Sequence, residues 1–349
     1  MQYQTLGRTG LRVSRLVFGT ATFGGVGALA AWGTTGLDEG RRLVDMAIDA
    51  GVNMIDTANV YSFGRSEEMV GEILVGRREH VLIATKVRLP MSDHENDEGL
   101  SRHHIIRQCE ASLKRLRTDH IDLYQMHEWD GLTAIEETLA AFDDLVRSGK
   151  VRYVGVSNFA GWQLQKTMHI AKTEGFPRPV AHQIYYSLEA RDAELELIPA
   201  SIDQDIGNLV WSPLSGGLLT GKYRREDPQG SDGRYGSDPV GPPIRSWEKL
   251  HDKVDVVKAI ADEHGLSPAE VALAWVLARP GITGLVIGAR TEEQLRVNLR
   301  AINVTLSNEE LARLDAVSRP DLPYPFWHQQ RTIAKRLSAA DRSLLASYL

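Results

Sequence analysis

Four side chains able to hold charge or trade protons follow apolar runs along the chain. Asp56 closes Asn53-Met54-Ile55, Tyr61 lies five residues further on, Lys86 follows the run 81–85 (VLIAT), and His127 follows 122–126 (DLYQM). A free phenol titrates near pH ~10, too high for easy proton traffic. An ammonium within a few ångströms favours the phenolate, so Lys86 is expected to pull Tyr61 down. A half-buried lysine stays charged only beside a carboxylate, and Asp56 is the candidate. A histidine next to the phenol orients a substrate oxygen or relays a proton. The set suits an oxygen that gains charge, as in reduction of a carbonyl. No side chain supplies a hydride, so a bound cofactor must. Taken singly, the aspartate reads as a helix cap or turn former, the lysine as a snorkelling strand end and the histidine as a satisfied hydrogen-bonding residue. The order of the set at consecutive strand ends gives it specificity.

Eight short apolar runs supply those ends: Leu16 to Phe18, Asn53 to Ile55, Val81 to Ala84, Asp122 to Met126, Tyr153 to Val156, Ala181 to Ile184, Leu209 to Trp211 and Gly284 to Ile287. Helix-like segments lie between or after them, at 38–50, 66–75, 101–117, 133–148, 160–173, 194–205, 268–279 and 291–300. The alternation predicts an α/β fold with a parallel sheet, and eight is the number that closes a (β/α)8 TIM barrel. A doubly wound open sheet is the competing arrangement. In a closed barrel the carboxyl ends share one rim, so residues far apart in sequence meet. One domain over 1–349 is expected: an N-terminal β-hairpin at 1–14, the barrel at 15–300, and a C-terminal extension of helix and tail at 301–349. The hairpin is read from YQTLG and LRVS around Arg8-Thr9-Gly10 and would cover the bottom of the barrel. Residues 212–245, rich in Gly, Pro, Ser and charge, read as a lid or an excursion. Residues 319–349 carry PDLPYPFWHQQ and then helical spacing at Ile333, Leu337, Leu344 and Leu345.

Composition narrows the classes. A net charge of -6 on 349 residues gives no basic footprint for nucleic acid. No apolar run reaches the ~20 residues of a membrane span, and the N-terminus lacks the apolar core of a signal peptide, so a cytoplasmic location is expected. The single cysteine, Cys109, excludes an intramolecular disulfide and reads as a buried structural thiol. Oligomeric state is not legible. A metal-dependent barrel hydrolase using Asp56, His127 and His182 is an alternative, weakened by the lack of a His-x-His pair after the first strand; no metal is expected. The stretch 25–30 (GVGALA) fits the dinucleotide fingerprint G-x-G-x-x-A, but Trp32-Gly33-Thr34-Thr35-Gly36 breaks the helix that should open there.

These motifs together resemble the aldo-keto reductase superfamily, whose (β/α)8 barrel uses an Asp–Tyr–Lys–His tetrad. The matching pieces run in order from about residue 3 to 300: LGRTGLRVSRLVFGT, GVNMIDTANVYSFGRSEEMVGEIL, VLIATKV, RLRTDHIDLYQMHEWD, VRYVGVSNF, AHQIYYSL, WSPLSGGLLTGKY and GLVIGARTEEQLRVNL. The resemblance implies a carbonyl reductase or alcohol dehydrogenase acting on a small molecule, with Asp56, Tyr61, Lys86 and His127 as tetrad. It implies a nicotinamide held by Ser157, Asn158 and Gln183, stacked on Trp211, near Gly19 and Thr20. Ser212, Pro213, Leu214, Gly216 and Leu218 match the pyrophosphate loop. Gly288, Ala289, Arg290, Gln294 and Asn298 match the adenosine end. Arg290 opposite a 2′-phosphate favours NADP(H), with NAD(H) possible. The chain departs from the family where many members carry a Lys-Ser pair in this region and a second basic residue at the place of Gln294. Phe23, Trp32 and Trp129, with Tyr235 and with Phe326 and Trp327 from the tail, are the substrate-pocket candidates, suited to aldehydes, ketones, quinones or sugars. Some family relatives associate with channels, so a nicotinamide-binding regulatory subunit without turnover is a further alternative.

Overall fold

The computed structural model describes residues 1–227, 235, 241–332 and 335–349, less the side chains of 28 and 29. A hairpin of β1 (Tyr3–Thr5) and β2 (Arg12–Ser14) precedes β3 (Leu16–Gly19), α1 (Leu37–Asp49), β4 (Met54–Asp56), α2 (Arg65–Ile73), β5 (Leu82–Val87), α3 (Arg102–Leu116) and β6 (Ile121–Met126). Then come α4 (Ile135–Arg147), β7 (Val151–Ser157), α5 (Gly161–Glu174), β8 (Ala181–Tyr185), α6 (Leu197–Asp203), β9 (Gly207–Trp211), α7 (Trp247–His264), α8 (Pro268–Leu277), β10 (Ile282–Ile287) and α9 (Glu292–Arg300). The extension holds α10 (Asn308–Ser318), α11 (Phe326–Thr332) and α12 (Ala339–Leu345). Strands β3 to β10 are parallel and close in the order β10-β3-β4-β5-β6-β7-β8-β9. The fold is therefore a (β/α)8 barrel, and the open sheet is excluded because β10 pairs with both β3 and β9.

The two-residue period of a strand sorts the barrel interior into layers. Val17, Met54, Ala84, Leu123, Ala181 and Leu209 form a buried apolar layer. Two residues further on, the same strands present Gly19, Asp56, Lys86, Gln125, Gln183 and Trp211. One step along each strand thus turns packed core into functional rim. Leu6 and Val13 from the hairpin region join the lower layer, so the hairpin closes the bottom as its sequence suggests. Its turn demands glycine: Gly7 has φ +58, and a Cβ there would lie 2.5 Å from the Asp205 carbonyl oxygen.

Helix α7 is not among the segments read from sequence, yet its signals are present. Ser246 accepts from the Lys249 N–H, Leu250, Val254, Val257 and Ile260 form the buried face, and Gly265 ends it at φ 64. The stretch 25–30 forms no dinucleotide-binding helix, only a 3-10 turn at Gly27–Ala31. Cys109 is buried, and burial pushes its thiol up to about 12. Leu344 and Leu345 of α12 are buried where that helix packs on α6. Ile333 lies outside the described residues, as does most of the 228–240 part of the expected lid. Tyr235 itself is buried and its hydroxyl donates to the Pro242 carbonyl at 2.9 Å. No described helix is long and apolar enough to cross a membrane.

Candidate active site

A cavity of about 1020 Å³ opens at the carboxyl ends of the barrel strands, lined by Asp56, Tyr61 and His127 among others. Lys86 lies directly behind, fully buried. Its Nζ donates to Asp56 Oδ1 at 2.5 Å, to the Thr57 carbonyl at 2.8 Å and to Tyr61 Oη at 3.4 Å. The other Asp56 oxygen accepts from Gln183 Nε2 at 2.7 Å and Gln125 Nε2 at 3.3 Å. The Tyr61 and His127 rings meet edge to face with centroids 6.0 Å apart. Gln125 was not read from sequence, although it follows Leu123 by two and sits in register with Lys86. Tyr61 is aimed by an unusual turn. Ser62, Phe63 and Gly64 after it take φ of 49, 51 and 93. For the two non-glycine residues this costs about 1–2 kcal/mol each. The Ser62 hydroxyl offsets part of it by donating to the Phe23 carbonyl at 2.8 Å and accepting from the Val26 N–H at 3.3 Å. Ser66 at the start of α2 then donates to Thr20 Oγ1 at 2.8 Å.

Burial is the largest influence on Lys86 and pulls it down, but Asp56 and Tyr61, through charge and hydrogen bonds together, outweigh it and hold the ammonium above its ordinary range. Tyr61 differs from the expectation. Burial is the largest influence and pushes the phenol up, Lys86 pulls it down, Asp56 pushes it up again, and the net direction is upward. Sequence names the cation beside the phenol but not the dryness of the site. Burial, then Lys86 and Arg88, drive His127 well below its ordinary value. At neutral pH the site therefore combines a protonated phenol, a charged lysine and a neutral imidazole. His127 Nδ1 is buried and has no hydrogen-bond partner among the described residues.

Along the rim, Ser157 Oγ is buried and also unpartnered among the described residues, while its residue lines the cavity. Asn158, at φ 56, donates through Nδ2 to the His127 carbonyl at 3.1 Å and accepts from Trp211 Nε1 at 3.0 Å. Trp211 is backed by Tyr185, stacked at 4.7 Å. Next, Ser212, Ser215, Gly216 and Gly217 all take left-handed φ of 53, 49, 67 and 94. The turn closes on itself: the Ser215 and Gly217 N–H groups donate to the Ser212 and Leu214 carbonyls at 2.8 and 2.9 Å, and the Gly216 N–H donates to Ser212 Oγ at 3.2 Å. At the far end the Arg290 N–H donates to Gln294 Oε1 at 2.9 Å, and Asn298 Nδ2 donates to the Gly288 carbonyl at 3.2 Å. Gln294 and Asn298 share a face of α9, as their spacing implies, and brace the 288–290 backbone. Gly19, Thr20, Pro213, Leu214, Ala289 and Arg290 line the same cavity. So do Lys222, Ser267, Pro268 and Glu293, which the sequence reading did not include. The signal for Lys222 was a cation closing a glycine-rich turn.

Six expected site residues are not brought to this cavity, the buried Tyr235 among them. Phe23 is fully buried against Phe18, with centroids at 5.9 Å, because the chain turns inward after β3. Leu218 is buried in the apolar core rather than facing the cavity. Trp129 packs edge-on against Phe159 and Trp162 at 5.4 and 5.6 Å. Phe326 and Trp327 lie on α11 in the extension, and Trp327 borders a separate cavity of about 450 Å³ with Arg319 and Tyr348. Trp32 does line the main cavity, joined by Val26, Val60, Phe63, Leu89 and Glu128, which sequence did not single out. The hydrolase constellation does not form. His182 is on the opposite face of β8 from Gln183, buried and pushed down to about 3, and Asp56 is engaged by Lys86.

The family model "Aldo/keto reductase family" matches residues 15–319. The uncharacterized oxidoreductase YrpG of Bacillus subtilis (strain 168) is 43% identical over 330 residues, covering 91% of this chain and 96% of its own. The versiconal hemiacetal acetate reductase of Aspergillus parasiticus is 33% identical, covering 93% and 99%. A probable voltage-gated potassium channel subunit beta of Oryza sativa subsp. japonica is 34% identical, covering 91% and 96%. The chain belongs to the aldo/keto reductase family and is an oxidoreductase, of a kind that reduces small carbonyl compounds with nicotinamide cofactors.

Proposed function

We propose that this chain is an NADP(H)-dependent reductase of aldehydes or ketones, running alcohol oxidation in reverse, with Tyr61 as general acid and base. The observation that carries the reading is the Tyr61 hydroxyl on the cavity wall, 3.4 Å from a Lys86 ammonium locked to Asp56 at 2.5 Å. A nicotinamide held by Ser157, Asn158, Gln183 and Trp211 would supply or accept the hydride. Tyr61 Oη gives its proton to the carbonyl oxygen as that oxygen gains charge. Lys86 stabilises the phenolate left behind, and Asp56, held by Gln125 and Gln183, keeps Lys86 charged and in place. His127, neutral, presents its ring to the same oxygen and orients it. In the reverse direction the phenolate takes the alcohol proton.

The cavity residues fit the cofactor. Ser157 Oγ has hydrogen-bonding capacity unspent, as a carboxamide requires. Trp211, fixed from both sides by Asn158 and Tyr185, offers a ring face for stacking. The 212–217 turn, which matches the family's pyrophosphate loop, lines the cavity with Ser212, Leu214, Gly216 and Gly217. Arg290, with Lys222 on the same cavity, supports a 2′-phosphate and so NADP(H) over NAD(H). Trp32, Val26 and Val60 add apolar surface to the same cavity. We take residues 1–349 as one domain working in the cytoplasm, where its lone buried thiol stays reduced.

The test is a panel of carbonyls and alcohols run with NADPH, NADH and their oxidised forms. Turnover of aldehydes or ketones, faster with NADPH, is the expected result. The rice relative's name brings a second reading, a regulatory subunit that binds cofactor without cycling. A single turnover followed by no steady state would favour that reading and defeat ours.

A further inference from the structure

Charged residues reach the cavity from two opposite sides of the barrel, and on one of them Glu293 is paired with Arg296 at 2.7 Å. Lys222 and Arg290 come from the loops after β9 and β10, and in the closed strand order these stand across the barrel from β5 and β6. Glu128 comes from the loop after β6, next to His127, and lines the same cavity. Trp32, Val60, Phe63 and Leu89 add apolar surface to that cavity. Asp56 also lines the cavity, but its oxygens are engaged by Lys86, Gln125 and Gln183. The cation beside Glu128 is Arg88, with Nη1 3.5 Å from Oε2. Arg88 does not line the cavity, and its backbone is pinned at φ 146, with its carbonyl accepting from the Gly99 N–H at 2.8 Å. Glu128 thus brings a carboxylate to the cavity beside His127, while Lys222 and Arg290 stand on the opposite side of the barrel.

We infer that Glu128 sets the substrate class of this site, admitting uncharged or cationic carbonyl compounds and rejecting those that carry a carboxylate or phosphate. The inference rests on the proposed reading of Tyr61 and His127 as the reacting end. With the carbonyl oxygen fixed there, the rest of the substrate must pass the very next residue of the chain. Glu128 is half-buried, so water screens part of its field, and a second negative charge close to it is still disfavoured at the effective dielectric of a protein surface. Discrimination then comes from repulsion built into the pocket rather than from a new attractive contact.

The experiment compares 4-carboxybenzaldehyde with its neutral isostere 4-formylbenzamide at saturating NADPH. The ratio of kcat/KM, neutral over anionic, is expected to be about tenfold or more in the native protein, and to arise mainly in KM. Glu128→Gln should bring the ratio below about threefold and Glu128→Lys should invert it. Raising the salt concentration should lower KM for the anionic aldehyde in the native protein but not in Glu128→Gln. A ratio does not depend on the amount of folded enzyme, so partial loss of either variant leaves the reading intact. Equal efficiencies in the native protein, or a preference that survives Glu128→Gln, would overturn the inference while the reductase assignment stands. Absence of turnover for both aldehydes and for the whole carbonyl panel would overturn that assignment and the inference with it.

Discussion

Two clusters of buried charge in this molecule share the same ingredients. At the rim, Lys86 meets Asp56 beside Tyr61. Between the loop after β8, the end of α8 and α10, Arg191 meets Glu194 and Asp315 beside Tyr186. Both tyrosines are pushed above their ordinary range, chiefly by burial. In the second cluster the partners answer one another. Arg191 donates to both Glu194 oxygens at 3.0 Å, to Asp315 at 2.7 Å and to Ser318 at 2.8 Å. Arg279 adds a bond to Asp315 at 3.1 Å, and Trp275 stands within 5.0 Å of both guanidinium groups. Tyr186 spends its hydroxyl on Glu194. In the first cluster the Tyr61 hydroxyl faces a cavity that also holds the unanswered Ser157 Oγ and the His127 ring. Burial and perturbed titration are common to both, so they do not mark a reactive group by themselves. Unspent hydrogen-bonding capacity on a cavity wall does.

Substitutions can break this contrast. Lys86→Met should cost the largest effect, lowering kcat by about 10³-fold or more through loss of the ammonium that stabilises the phenolate. Fluorescence titration of NADPH should meanwhile change little. Comparable kcat in that variant would erase the distinction between the clusters. Arg191→Met leaves the buried Glu194 with Tyr186 and the distant Arg279 and leaves Asp315 with Arg279 alone, and should destabilise the protein by about 3 kcal/mol, read from urea unfolding. The fraction that stays folded should turn over at the native rate, and a rate loss without a stability loss would mean that the second cluster is not purely structural. Arg290→Ala should weaken NADPH by about tenfold, or ~1.4 kcal/mol, and NADH by much less. Equal losses would remove the support for NADP(H).

The smallest effect expected is an absence of slope. Reduction needs Tyr61 protonated, Lys86 charged and His127 neutral. Tyr61 and Lys86 are held above their ordinary values and His127 below its own. The kcat of reduction should therefore stay flat between about pH 6.5 and 9.5 and fall only as the phenol begins to ionise at higher pH. A step near pH ~6.5 would assign a titrating role to His127 that its burial opposes.

The meeting of Asp56, Lys86 and His127 was legible because strand periodicity places them at comparable heights, and barrel closure brings those heights to one rim. Tyr61 was legible as a member but not in its titration, since a list of neighbours carries no measure of how much water they exclude. Phe23 and Leu218 show a second limit. Both follow strand ends, where an apolar side chain fits either the cavity or the core, and only the turn chosen by the backbone decides. Gln125 and Glu128 show the reverse. Each flanks His127 in sequence, and their roles depend on which face of β6 and its loop they take. Trp327 was read as a pocket wall from its type, yet α11 carries it to a different surface.

The most direct test is Tyr61→Phe followed by stopped-flow loss of NADPH absorbance during a single turnover with a carbonyl substrate. The phenyl ring keeps the shape, so NADPH should bind as before while the rate of its oxidation falls by about 10³-fold. Oxidation at the native rate in that variant would contradict the account, because the proton would then be coming from somewhere other than the phenol beside Lys86.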